Sequence, residues 1–477
     1  MGKSKIGLYY KNVMAEVIGE ENGITQNQWE DLIKQTSPLI SNLNNERKEG
    51  KTPYRDLPYN TQLSQDVQDL AAKYEEECEN LVVLGIGGSA LGNIALQTAL
   101  NSYMYNMDQA QREGPRLFIF DNVDPQQLGS FLDWISDKLD KTVFNVISKS
   151  GRTSETASQF MIVCDMLSEI LGPDSLRDHI VATTDAKSGT LHNIVEKWNL
   201  PHLEVPDGVG GRFSVLSAVG LFSAAMCGVD IDLLLEGARD MDQRVSNEDF
   251  LQNPAAINAA IQHHFYNRGK KMSVMMPYCY ALKDLCDWYR QIWAESLGKE
   301  VNLKGEKVYV GPTPIKALGT TDQHSQVQLY REGPNDKLFT FLKVNNFDKD
   351  IEIGPAPDCA PELGFLAGKN LSMLLNSEKD ATEYALLQSQ RPCMTIQFDK
   401  VDPYCVGQFI YLYEVTTSFA GALFGINTYD QPAVELGKEA TFALMEKDGE
   451  CKALGKSYDE FAHEIKGKTE IDNNYLV

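Results

Sequence analysis

Residues 81–92 read Leu81-Val82-Val83-Leu84-Gly85-Ile86-Gly87-Gly88-Ser89-Ala90-Leu91-Gly92, an apolar run that passes into a glycine-rich turn and opens a helix. Glycines at such a turn let backbone N–H groups approach an anion at the helix N-terminus. The same letters fit the dinucleotide fingerprint G-x-G-x-x-A, and Asp121 ends the next strand, where a ribose-binding acid would sit. They fit equally a tight strand–helix turn that holds nothing. Taken alone, the motif leaves these readings open.

Outward from this stretch, short apolar segments alternate with amphipathic ones. The pattern predicts strands over 81–86, 116–120, 142–147 and 179–182, with helices over 93–105 and 153–171 between them. The alternation restarts with strands over 272–276, 338–344 and 394–398 and helices over 282–297 and 364–388. The apolar run 215–229, broken by serines and glycines, reads as a buried helix and is too short to span a bilayer. The first fifty residues read as helical, with 26–43 interrupted by Pro38, and the polar stretch 247–254 closes on Asn253-Pro254 as a boundary. The expected class is α/β: two doubly wound, three-layer αβα domains with mostly parallel sheets and a helical C-terminal tail. The boundaries are 1–55 for an N-terminal helical segment, 56–246 and 247–428 for the two domains, and 429–477 for the tail.

A net charge of −23 over 477 residues argues against a nucleic-acid partner, whose phosphates this surface would repel. A phosphorylated metabolite itself carries about −1.5 to −2 charges, so a pocket for one must be locally rich in donors. Neither a signal peptide nor a membrane segment is expected. Nine scattered cysteines, none in a C-x-x-C pair, fit a reducing compartment, and the cytoplasm is the expected location. There is no H-x-x-H or Cys/His cluster, so no metal is expected.

A second turn, Ser148-Lys149-Ser150-Gly151-Arg152-Thr153-Ser154-Glu155-Thr156, again lies between strand and helix. Hydroxyls, free amides and a helix dipole converge there. A terminal phosphomonoester would use this second cradle, and a dinucleotide pyrophosphate would not need it. Ser and Thr also serve as ordinary N-caps, with Glu155 in a capping box.

Together with Asp207-Gly208-Val209-Gly210-Gly211-Arg212-Phe213-Ser214, these turns resemble the phosphoglucose isomerase family, with its two sugar-isomerase-type domains, over residues 80–440. The resemblance implies interconversion of glucose 6-phosphate and fructose 6-phosphate, in glycolysis and gluconeogenesis, through a cis-enediolate and without a cofactor. It implies phosphate binding by Gly88, Ser89, Ser148, Lys149, Ser150 and Thr153, and places Arg212 beside the reacting carbons.

The segment Gln291-Ile292-Trp293-Ala294-Glu295-Ser296-Leu297-Gly298-Lys299 ends a helix on Gly298, and a glutamate in that last turn meets the negative end of the helix dipole. The resemblance makes Glu295 the base that moves the proton between C1 and C2, with Gln291 in the site. It makes His324, in Gly319-Thr320-Thr321-Asp322-Gln323-His324-Ser325, the ring-opening residue contributed by a neighbouring subunit, so a homodimer with composite sites is expected. Residues 429–438 resemble a second family signature, which implies that Lys438 reaches the ring oxygen and Gln431 helps hold the phosphate; Ala433 stands where the family usually has glycine. The pair His263-His264 reads as exposed on a helix.

Two other functions compete. An NAD-dependent dehydrogenase would rest on the Gly85 to Ala90 motif and leave the Ser148 turn, Arg212 and Lys438 without a role. A sugar-phosphate-sensing module would share the phosphate loops but needs neither Glu295, His324 nor Lys438, and the basic DNA-binding segment that usually accompanies it is missing here.

Overall fold

The computed structural model describes residues 4–477. Its principal strands, in chain order, are β1 Ile6–Tyr9, β2 Asn80–Leu84, β3 Arg116–Phe120, β4 Thr142–Ile147, β5 Ile180–Asp185, β6 His202–Val205 and β7 Met272–Pro277. They continue with β8 Lys299–Val301, β9 Lys307–Val310, β10 Thr313–Lys316, β11 Lys337–Val344 and β12 Cys393–Phe398. The first sheet has the order β3-β2-β4-β5-β6, all parallel. Its strands β2 and β4 are buried along their whole length, which is why they read as continuous apolar runs rather than alternating ones.

The second sheet has the order β1-β12-β11-β7-β10, parallel except for β1. In each sheet the first parallel strand, β2 or β7, lies between the next two in sequence. The fold therefore repeats a topology that the sequence shows no sign of repeating. Strands β8 and β9 form a separate two-stranded ribbon.

One core joins the two sheets: Leu81 and Val83 of β2, Met394 and Ile396 of β12, and Phe409 and Leu412 of the helix Pro403–Phe424 belong to a single buried cluster. Among the described residues no helix is long and apolar enough to cross a membrane. One compact unit ends at Thr428 and a second comprises Tyr429–Val477. The second contains the helices Glu435–Leu444 and Tyr458–Thr469 around a small core of Ala443, Cys451, Tyr458, Phe461 and Ala462.

Several expectations are corrected. The N-terminal stretch is not wholly helical, because Ile6–Tyr9 pairs antiparallel with β12 as an edge strand, a partner almost 400 residues away that no local pattern reveals. Pro38 does not interrupt its helix: Gln26–Lys48 runs through it, and the Ser37 hydroxyl donates to the Ile33 carbonyl at 2.7 Å in the preceding turn. Within 247–254, Asn247, Glu248, Asp249, Leu251 and Gln252 are exposed, while Phe250 is buried and the Asn253 side chain is bonded to the Val245 carbonyl and the Ala256 N–H. His263 is buried against Phe424, His264 is half-buried, and burial holds both rings below the ordinary histidine range. The strands missed in the sequence, β1, β6, β8, β9 and β10, have three or four residues each, too few for a period to show.

Glu414 lies fully buried in the helix Pro403–Phe424, and neither carboxylate oxygen has a partner among the described residues. Burial pushes its carboxyl well above the ordinary range. The folded chain thus keeps a proton that the unfolded chain loses above pH ~4.3. From there the unfolded state gains about 1.4 kcal/mol per pH unit until the folded group ionises. Glu414→Gln removes that slope. Urea unfolding at pH 5, 6 and 7 is expected to show the variant's stability advantage growing by about that increment per unit. A pH-independent difference would contradict a neutral Glu414.

Candidate active site

In an open parallel sheet the crevice opens at the carboxyl ends of the strands, where successive connections leave in opposite directions. In the first sheet that point lies between β2 and β4, and both motif turns sit there. The glycine turn follows β2, with Gly87 at φ +58° and a short 3-10 turn Gly87–Ser89 ahead of the helix Leu91–Leu100. The serine turn follows β4, with Gly151 at φ +66° ahead of the helix Ser154–Ile170.

Within the serine turn, the buried Ser148 hydroxyl accepts the Gly151 N–H at 3.0 Å, and the Ser150 hydroxyl accepts the Arg152 N–H at 3.2 Å. Thr153 is the N-cap, but its side chain makes no cap bond, so the capping box does not form. Lys149 donates from Nζ to the Val209 carbonyl at 3.1 Å, tying this turn to the loop that carries Arg212.

That loop closes on the glycine turn. A Cβ on Gly88 would stand 2.2 Å from the Gly211 carbonyl oxygen, and one on Gly87 would stand 2.8 Å from Gln291 Nε2. Only glycine permits such an approach, so the turn meets two distant segments directly. Gln291 and Glu295 come from the helix Lys283–Leu297, whose Leu285, Tyr289 and Ile292 are buried as its spacing predicts. It ends with Gly298 as the C-cap. The Gln291 Oε1 atom is buried without a partner among the described residues, an acceptor placed to take a hydroxyl proton donor.

Arg212 is only 4% exposed. Its Nε donates to Ser296 Oγ at 2.9 Å, its Nη2 to the Thr428 carbonyl at 3.2 Å, and its Nη1 lies 3.4 Å from Glu295 Oε2. The Glu295 side chain is 37% exposed and so reachable from solvent. The result is a carboxylate that can accept a proton beside a fixed positive charge that can stabilise an oxyanion. Sequence reasoning left Ser296 and Thr428 out; Ser296 lies inside the quoted Gln291 to Lys299 stretch, but its partner is 84 residues away.

His324 lies elsewhere in the chain. It is exposed on the 3-10 turn Thr321–His324, beyond the carboxyl end of β10. The helix carrying Glu295 runs the opposite way to β10. Its first turns meet the strand's end, where Lys316 pairs with Asp284 and Asp287, and its C-cap Gly298 packs on Gly311, ahead of the strand. Glu295, near the helix end, and His324 thus sit at opposite ends of β10, and one chain does not bring them together. Lys438 lies in the second unit, on Glu435–Leu444, with Nζ 2.6 Å from Glu435 Oε1; Gln431 precedes that helix.

The phosphoglucose isomerase family pattern matches residues 62–462. A glucose-6-phosphate isomerase of Carboxydothermus hydrogenoformans is 45% identical over 418 residues, 87% of this chain and 89% of the relative. A glucose-6-phosphate isomerase of Methanocaldococcus jannaschii is 34% identical, covering 87% of this chain and 94% of its own length. Among solved structures, a hypothetical protein of Thermus thermophilus superposes with a TM-score of 0.79 at 32% identity, over 92% of this chain and 99% of its own. With the match spanning the first sheet, the four parallel strands of the second and all six motifs, the chain belongs to the phosphoglucose isomerase family.

Proposed function

We infer that the chain catalyses the reversible isomerisation of glucose 6-phosphate and fructose 6-phosphate. The observation that carries this is the convergence of Gly88, Arg212, Gln291 and Glu295 at the carboxyl end of the first sheet. The phosphate docks on the amides and hydroxyls of Gly88, Ser89, Ser148, Ser150 and Thr153, with Lys149 supplying positive charge and Gln431 a further donor. His324 and Lys438 open the pyranose ring by proton transfer.

Glu295 then takes the proton from C2. The C–H electron pair becomes the C1–C2 double bond, and the C1 carbonyl pair moves onto oxygen, facing Arg212. Glu295 returns the proton to C1 while the C2 hydroxyl proton passes to the C1 oxygen and the O–H electron pair becomes the C2 carbonyl, completing the aldose-to-ketose change without net gain or loss of electrons. The separation of His324 from Glu295 within one chain supports a second copy supplying the histidine, and hence a homodimer. Nine free thiols support a cytoplasmic location, which cell fractionation checks.

A coupled assay of fructose 6-phosphate to glucose 6-phosphate, run on material sedimented in the same buffer, tests both points. Turnover by a dimer is expected. Absence of isomerisation defeats the function, and full turnover by a monomer defeats the composite site.

A further inference from the structure

We propose that Ser296 is a positioning residue that orients Arg212 toward the reacting oxygens; this rests on the isomerase function inferred above. A guanidinium is a rigid plane, so its third donor is aimed once two others are held. Here Nε is held by Ser296 Oγ at 2.9 Å and Nη2 by the Thr428 carbonyl at 3.2 Å, both neutral acceptors. Nη1 then faces the Glu295 carboxylate at 3.4 Å, where the enediolate charge develops.

Ser296 has no solvent exposure and Arg212 has 4%, so water cannot replace the hydroxyl if it is removed. Ser296 also follows Glu295 directly in the chain. The same helix end therefore carries the proton acceptor and the group that aims the cation, and the two cannot drift apart.

Hydrogen bonds to charged groups, when lost from a buried site, correspond to about 10- to 100-fold in rate. Ser296→Ala is expected to lower kcat by about that factor while KM moves little, because the enediolate oxygens gain charge only in the transition state. Ser296→Thr, which keeps the acceptor, is expected to recover a large part of the loss.

The decisive comparison places Ser296→Ala in an Arg212→Lys background. Lysine has no fork to aim, so the serine change is expected to be nearly silent there. Equal losses in both backgrounds, or an unchanged kcat for Ser296→Ala in the otherwise unaltered enzyme, would overturn the proposal while leaving the isomerase function standing. An Arg212→Lys variant with full kcat would instead remove Arg212 from the mechanism. Circular dichroism of each variant separates misfolding from misaiming.

Discussion

Glu295→Gln is expected to lower kcat by about 10²–10⁴-fold, the contribution of a positioned general base, with KM for fructose 6-phosphate nearly unchanged. Glutamine keeps the shape of the side chain and can still accept from Arg212 Nη1, but it cannot take up the C2 proton. The buried residues of its helix, Leu285, Tyr289 and Ile292 among them, are untouched, so the fold survives. Progress curves from the coupled assay give both constants. A kcat within threefold of the unaltered enzyme would remove Glu295 as the base.

Gly88→Ala addresses the geometry rather than the chemistry. The added Cβ would stand 2.2 Å from the Gly211 oxygen and 2.3 Å from its carbonyl carbon, both backbone atoms that no side-chain rotation can relieve. Relief requires a shift of about 1 Å between the glycine turn and the loop carrying Arg212, and misplacement on that scale costs about 10²-fold in rate. A loss of that size in kcat/KM is expected. Gly129→Ala is the matched control: a Cβ there meets nothing within 4 Å, and its activity is expected to be unchanged. Equal activity of the two variants would mean that the approach of the turns does not matter to the site.

The two changes probe different halves of one arrangement. The first removes the proton acceptor at the helix end; the second separates the loop carrying Arg212 from the turn proposed to hold the phosphate. A phosphate anchored on the first sheet fixes one end of the sugar, so small movements between the turns become large ones at C1 and C2.

What the sequence alone determined is whatever depends on neighbours along the chain. Strand and helix periods are local, and they placed β3 and β4 on their observed bounds and the helix Lys283–Leu297 within one residue. The glycine and serine turns were legible because backbone freedom and hydroxyl chemistry are carried by the turn residues themselves. The family motifs then pointed to Arg212 and Glu295 individually.

Only the tertiary structure decided what depends on contact between remote segments. It set the pairing of β1 with β12, the burial of His263, the seating of Gly88 on Gly211, and the bond from Arg212 to Ser296. It also put Glu295 and His324 at opposite ends of β10, although only 29 positions separate them in sequence. The physical reason is that a residue's local pattern records which face it buries, while the partner on that face is chosen by how whole elements pack. No window of sequence short enough to show a period contains both sides of such a contact.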